Sequence, residues 1–111
     1  MAFQPDLEGA ILAALDGSPA HGYEIGRRIR ERSQRTIAPG EGRLYPALHG
    51  LEKSGFLRSI WEPQEGKPSR KVYALTEEGT AELQSRRDAW SSFRAAVDAL
   101  MHPRRPEAGN A

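Results

Sequence analysis

One stretch near the middle of the chain restricts the fold more than any other. In residues 56–61, FLRSIW, Leu57, Ser59 and Trp61 fall on one face of an extended backbone, and Phe56, Arg58 and Ile60 on the other. Residues 71–75, KVYAL, form a second such run. The nine residues between them, EPQEGKPSR, are turn-rich and partly basic. Together they predict a β-hairpin with a flexible tip. Every other periodic segment has helical spacing.

Leu7, Ala10, Ile11, Ala14 and Leu15 predict a first amphipathic helix over 6–16, ended at Gly17. Ser18 followed by Pro19 has the pattern of an N-cap and a first-turn proline. This predicts a second helix over about 19–33, with a thin apolar stripe of Tyr23, Ile25 and Ile29 and an outer surface of arginines. Leu44, Ala47, Leu48 and Leu51 are the stripe of a third helix. Pro46 would clash with a helical carbonyl four residues back, so this helix cannot begin much before Gly42 or Arg43. Gly55 closes it, with Lys53 in the last turn, where a cation complements the helix dipole.

Thr76 is a predicted N-cap for a last long helix, with Glu77 and Glu78 in its first turn. Leu83, Trp90 and Val97 are spaced by seven, as are Phe93 and Leu100, with Arg86 interrupting the second series. A single seam of this kind wants another helix, most simply that of a second copy of the chain. The tail HPRRPEAGNA has no periodicity and is expected to be disordered.

The formal net charge of +1 over 111 residues hides a pattern. Residues 1–20 carry −3, residues 21–75 carry +5 from eleven bases and six acids, residues 76–101 carry −2 and the tail +1. A basic middle between acidic ends fits a central surface that meets phosphate, although a charge run is also what any solvated face presents. The length suits one domain. With no cysteine there is no disulfide, thiol nucleophile or thiolate metal site. No apolar run approaches the ~20 residues that span a bilayer, and no signal-peptide pattern opens the sequence, so a soluble cytoplasmic protein is expected.

Catalysis has little support. His21, His49 and His102 lack metal-ligand spacing, and Gly40-Glu41-Gly42 is a bare GxG with no strand leading into it. No catalytic residue, metal or cofactor is expected.

The order helix, helix, helix, hairpin, long helix is that of a winged helix-turn-helix. The expected fold is therefore mainly α with a two-stranded wing. A DNA-binding unit over 1–75 is followed by a C-terminal dimerisation helix over 76–101 and a tail over 102–111. The third helix would enter the major groove, and the wing would lie along the backbone or an adjacent minor groove. Two other readings compete: a winged helix that binds protein in place of DNA, and a MarR-like regulator. The first would not need the clustered cations; the second normally needs more flanking helices than this chain supplies.

The segments HGYEI (21–25), LYPALHGLEKSGFL (44–57) and RKVYALTEEG (70–79), in this order and spacing, strongly resemble the PadR family of transcriptional regulators. The short final helix resembles the family's small branch. The resemblance implies a homodimeric repressor that binds an inverted-repeat operator in double-stranded DNA and is released by a small effector. It also implies a flat apolar pocket between protomers, lined by a tryptophan of the last helix, and Trp90 stands at the corresponding place. The pocket set is then Trp90, Phe93 and Val97, and a planar aromatic compound is the expected effector. Without a ligand, Trp90 would simply anchor the seam.

For DNA, the candidates are Tyr23, Arg43, Tyr45, Lys53, Lys67, Arg70 and Lys71. The resemblance implies that Tyr45 touches DNA; the alternative is packing on the wing. Arg43 reads guanine or phosphate, or pairs with Glu41. Tyr23 offers its hydroxyl to a phosphate, or is half-buried core. Lys67, Arg70 and Lys71 of the wing are expected phosphate contacts, the alternative being ordinary solvated charge, and Lys53 is a contact or only a C-terminal cap. Trp61 is expected to pack on the wing strand.

Overall fold

The computed structural model describes residues 6–105. Its elements run α1 (Leu7–Ala14), β1 (Ala20–His21), α2 (Gly22–Arg32), α3 (Glu41–Lys53), β2 (Leu57–Gln64), β3 (Lys67–Leu75) and α4 (Glu77–Met101). The apolar stripes meet in one core. Ile11, Leu12 and Leu15 from the first helical segment, Ile25 and Ile29 from α2, Leu44, Leu48 and Leu51 from α3, and Leu57 and Tyr73 from the hairpin are all buried there.

Helix ends follow the capping chemistry of the sequence. Asp6 caps α1 by accepting from the Gly9 N–H at 2.9 Å. Thr76 caps α4 by accepting from the Gly79 N–H at 2.9 Å, and its hydroxyl donates to the Gly55 carbonyl at 2.6 Å. At the end of α3, Gly55 has φ +85°, its N–H reaches the Glu52 carbonyl, and the Phe56 N–H reaches that of Leu51, both at 3.0 Å. That is a Schellman motif. Phe56 then turns back against the core, and its carbonyl accepts from the Thr76 N–H at 3.1 Å. A Cβ on Gly79 would lie 2.0 Å from this same carbonyl, so only glycine fits where α4 crosses the hairpin base.

The sheet corrects the sequence reading in one respect. Ser18-Pro19 does not open the second helix. Ala20 and His21 form a short strand that pairs antiparallel with β3, Ala20 opposite Tyr73 and His21 opposite Val72, giving a three-stranded sheet in the order β1-β3-β2. Pro19 has no N–H to lose ahead of this strand, and Ala20 is buried on the sheet. The N-cap is His21, whose Nδ1 accepts from the Glu24 N–H at 3.4 Å. The hairpin strands are also longer than expected. Pairing continues from Leu57 opposite Leu75 to Gln64 opposite Lys67, through an irregularity between Glu62 and Gln64 where Pro63 lacks a donor.

The seam expected along α4 is shorter than its spacing implies. Leu83 is buried in the core and does not begin a seam. Arg86 donates to Asp6 at 3.0 Å, to Glu8 at 3.4 Å and to Glu82 at 2.7 Å, and Arg87 pairs with Asp16 at 3.0 Å. The first half of α4 is thus fixed to α1 by charge as well as by packing. Burial and the three surrounding carboxylates act oppositely on Arg86, and the guanidinium stays firmly protonated. Beyond Arg87 the helix leaves the core, which is why the described chain extends 73 Å along its longest axis but only 27 × 24 Å across. His102, Pro103, Arg104 and Arg105 have no regular secondary structure, and the rest of the expected disordered tail lies outside the described residues. Among the described residues no helix is long and apolar enough to cross a membrane.

Candidate nucleic-acid interface

The third helix has two unlike faces. Leu44, Leu48 and Leu51 hold one face on the core, so Gly42, Arg43, Tyr45, Pro46, His49 and Lys53 fall on the exposed side. The helix begins at Glu41, slightly before the expected start, so Pro46 lies inside it and cannot donate to the Gly42 carbonyl. Gly40 is the N-cap and supplies no side-chain hydrogen bond; its carbonyl accepts from the Leu44 N–H at 2.9 Å. The exposed N-terminal turn therefore presents Arg43 beside backbone donors, which together suit an anion.

Tyr45 and Tyr23 belong to one neighbourhood. A Cβ on Gly22 would stand 2.7 Å from Tyr45 Cε1 and 2.9 Å from its hydroxyl oxygen, so the ring lies directly against the first turn of α2. Glycine at 22 makes room for it. Tyr23 follows immediately, is 67% exposed, and stacks on His21 with ring centroids 6.4 Å apart. Tyr45 is itself 45% exposed. The packing alternative read for Tyr45 is thus corrected: the ring packs on α2 and not on the wing. Arg43 has no ion pair with Glu41 or any other acid among the described residues. Lys53 is exposed at the far end of α3, ten residues and ~15 Å from Arg43 along the axis.

The wing cations are placed unequally. Lys67 is exposed beside the Glu65-Gly66 turn. Arg70 is exposed as well and reaches Glu62 across the hairpin at 3.2 Å. Lys71 sits at the base, 2.8 Å from Glu52 of α3. Trp61 is 67% exposed and Ile60 61%, which corrects the expectation that Trp61 packs on the wing. The strand passes beyond the core at that point, with Lys71 opposite Trp61 in the ladder.

The arginines of α2 are not a uniform basic surface. Arg27 pairs with Glu24 at 2.7 Å and Glu31 at 2.9 Å. Arg28 is largely buried and donates to the Ala14 carbonyl at the C-terminal end of α1 at 2.9 Å and to the Ser18 carbonyl in the following loop at 2.8 Å. The signal for this was present in the spacing of Glu24, Arg27, Arg28 and Glu31, at three and four residues.

On the outer half of α4, Trp90 and Phe93 are half exposed with ring centroids 5.8 Å apart, Val97 is partly covered, and Leu100 and Met101 are open to solvent. Trp90 also lines a mainly apolar cavity of about 630 Å³ between α1, α4 and the loop leading to α3, together with Ala10, Ala13, Ile37, Leu83 and Arg86. Phe93 and Val97 lie beyond it.

Comparison with known proteins agrees with this geometry. Residues 11–85 match the transcriptional regulator PadR-like family. The chain is 32% identical over 77 residues to the probable transcriptional regulator Rv1176c of Mycobacterium tuberculosis, covering 69% of this chain and 41% of that protein. It is 34% identical over 83 residues to the transcriptional regulator YqjI of Escherichia coli, covering 75% and 38%. It therefore spans about two-fifths of the length of these curated relatives. A solved PadR family transcription regulator from Clostridium difficile superposes with a TM-score of 0.77 at 26% identity, over 87% of this chain and 99% of that one. The element order, the long last helix and a match covering most of the chain lead to one conclusion: the protein belongs to the PadR-like family of transcriptional regulators.

Proposed function

We propose that the protein is a DNA-binding transcriptional repressor that acts as a homodimer. The observation that carries this reading is the outward face of α3, where Arg43 and Tyr45 are exposed while the leucines behind them fix the helix on the core. α3 enters the major groove, with Arg43 and Tyr45 against bases or phosphates, Tyr23 and Lys53 against the backbone, and the wing tip carrying Lys67 and Arg70 along the adjacent strand.

The stripe of exposed Trp90, Phe93 and Leu100 with the partly covered Val97 pairs with its copy in a second protomer. Two α3 helices then stand about one DNA turn apart, roughly 34–36 Å, and the operator is an imperfect inverted repeat. A planar aromatic effector binding beside Trp90 releases the complex; the cavity at Trp90 supports this part of the reading. Selection of bound fragments from genomic DNA with the purified protein tests the proposal. Enrichment of a shared inverted repeat supports it, and no enrichment over input contradicts it.

A further inference from the structure

We infer that Glu52, in the last turn of α3, is a positioning residue that sets the angle of the wing against the recognition helix, with Lys71 as its counter-ion and not a phosphate ligand. The inference rests on the DNA-binding reading above. Four groups from three elements meet at the wing base. Glu52 accepts a hydrogen bond from Ser59 Oγ on β2 and, at 2.8 Å, from Lys71 Nζ on β3. The Lys71 ammonium also lies 5.3 Å from the centroid of the Tyr73 ring, a cation–π contact. Tyr73 is buried and occupies the central strand, opposite Ser59 on one side and Ala20 on the other.

Burial and geometry distinguish this cluster from the other charges of the wing. Glu52 and Lys71 are 28% and 30% exposed, whereas Glu62 and Arg70 are 47% and 42%. A half-shielded ammonium with a carboxylate at 2.8 Å releases no counterion to a phosphate unless that pair first breaks. The hydrogen bonds from Lys71 and Ser59 hold the Glu52 carboxyl below its ordinary range, and Glu52 raises Lys71, so both stay charged at neutral pH.

The cluster also sits where leverage is greatest. From Lys71 to Lys67 at the tip is four residues, an arm of ~13 Å, over which 10° of freedom at the base moves the tip by about 2 Å. Direct hydrogen bonds tolerate only a few tenths of an ångström. Beyond the Leu57–Leu75 pair, Tyr73 joins the core with the leucines of α3, and Glu52 is the charged group that α3 contributes to the wing base.

The test compares Lys71→Met, Lys71→Arg, Glu52→Gln and Lys67→Met in the full chain. Each is read by amide hydrogen exchange over residues 57–75 and by the salt dependence of binding to a 30-base-pair random-sequence duplex. Lys71→Met is expected to speed exchange at the wing base and weaken binding several-fold without changing the log–log salt slope. Lys71→Arg restores both. Glu52→Gln speeds the same exchange, and this arm stands even if Lys71→Met folds poorly. Lys67→Met lowers the slope by about 0.9 and leaves exchange alone. A slope lowered by about 0.9 in Lys71→Met, or unchanged exchange in Glu52→Gln, overturns the inference. If the unaltered protein does not bind the duplex, the DNA-binding reading fails, and the exchange arms still decide whether the clamp exists.

Discussion

Arg27 and Arg28 on α2 count equally with Arg43, Lys53 and Lys67 toward the +5 charge of residues 21–75, but their surroundings differ. Arg27 is held between two glutamates, and Arg28 is turned onto the carbonyls of Ala14 and Ser18. Arg43, Lys53 and Lys67 are exposed and have no ion pair among the described residues. Formal charge therefore overstates Arg27 and Arg28 as phosphate contacts, whereas at the exposed Arg32 of α2, on α3 and at the wing tip it remains available. The difference is one of spacing: Arg27 and Arg28 have acids three and four residues away, whereas Arg30 and Arg32 have none at that spacing, and Glu41 is two residues from Arg43 on another face of the helix.

This contrast can be broken by substitution. Arg28→Ala should have the largest effect on stability, about 1–2 kcal/mol by chemical denaturation, because it strands the part-buried Ala14 carbonyl at the end of α1. Its salt slope for DNA binding should not move; a drop of about 0.9 would transfer Arg28 to the DNA face. Tyr45→Ala should weaken DNA binding about tenfold, ~1.4 kcal/mol, with the oligomeric state by sedimentation unchanged from that of the unaltered protein. Arg43→Ala and Lys67→Ala should each lower the slope by about 0.9, with stability changed by less than about 0.5 kcal/mol.

The smallest effect is on acid stability. The Arg27 hydrogen bond, opposed by partial burial and reinforced by Arg28, lowers the Glu24 carboxyl from 4.5 to about 2. The folded value lies below the unfolded one, so the contribution is complete above pH 4.5 and is lost as pH falls toward about 2. Glu24→Gln should flatten the thermal midpoint over that window. A parallel curve merely displaced downward would show that the Arg27 network contributes nothing through ionisation.

Much of the architecture was legible because its signals are local. The leucines of α3 repeat on one face, Thr76 stands before two glutamates, and Gly55 ends a helix in a left-handed conformation. What sequence could not supply depends on distant partners. Ala20-His21 becomes a strand only because β3 has a free edge beside it. Leu83 fits a heptad as well as a core, and only the crossing of α4 over Phe56 decides that it is core. Lys71 and Lys67 are alike on paper, and nineteen residues separate Lys71 from the glutamate that claims it. Of the candidate site, the exposed face of α3 and the wing tip followed from stripe and turn chemistry; the pairing of Tyr45 with Gly22 needed three dimensions.

The central claim is that the unpaired cations of α3 and the wing tip form a phosphate-binding surface. The most direct measurement is the affinity of the unaltered protein for duplex DNA across a salt series. A steep linear fall of log K with log salt is expected, with a slope of about −0.9 for each phosphate contacted. An affinity that does not change with salt, or no binding at low salt, would contradict it.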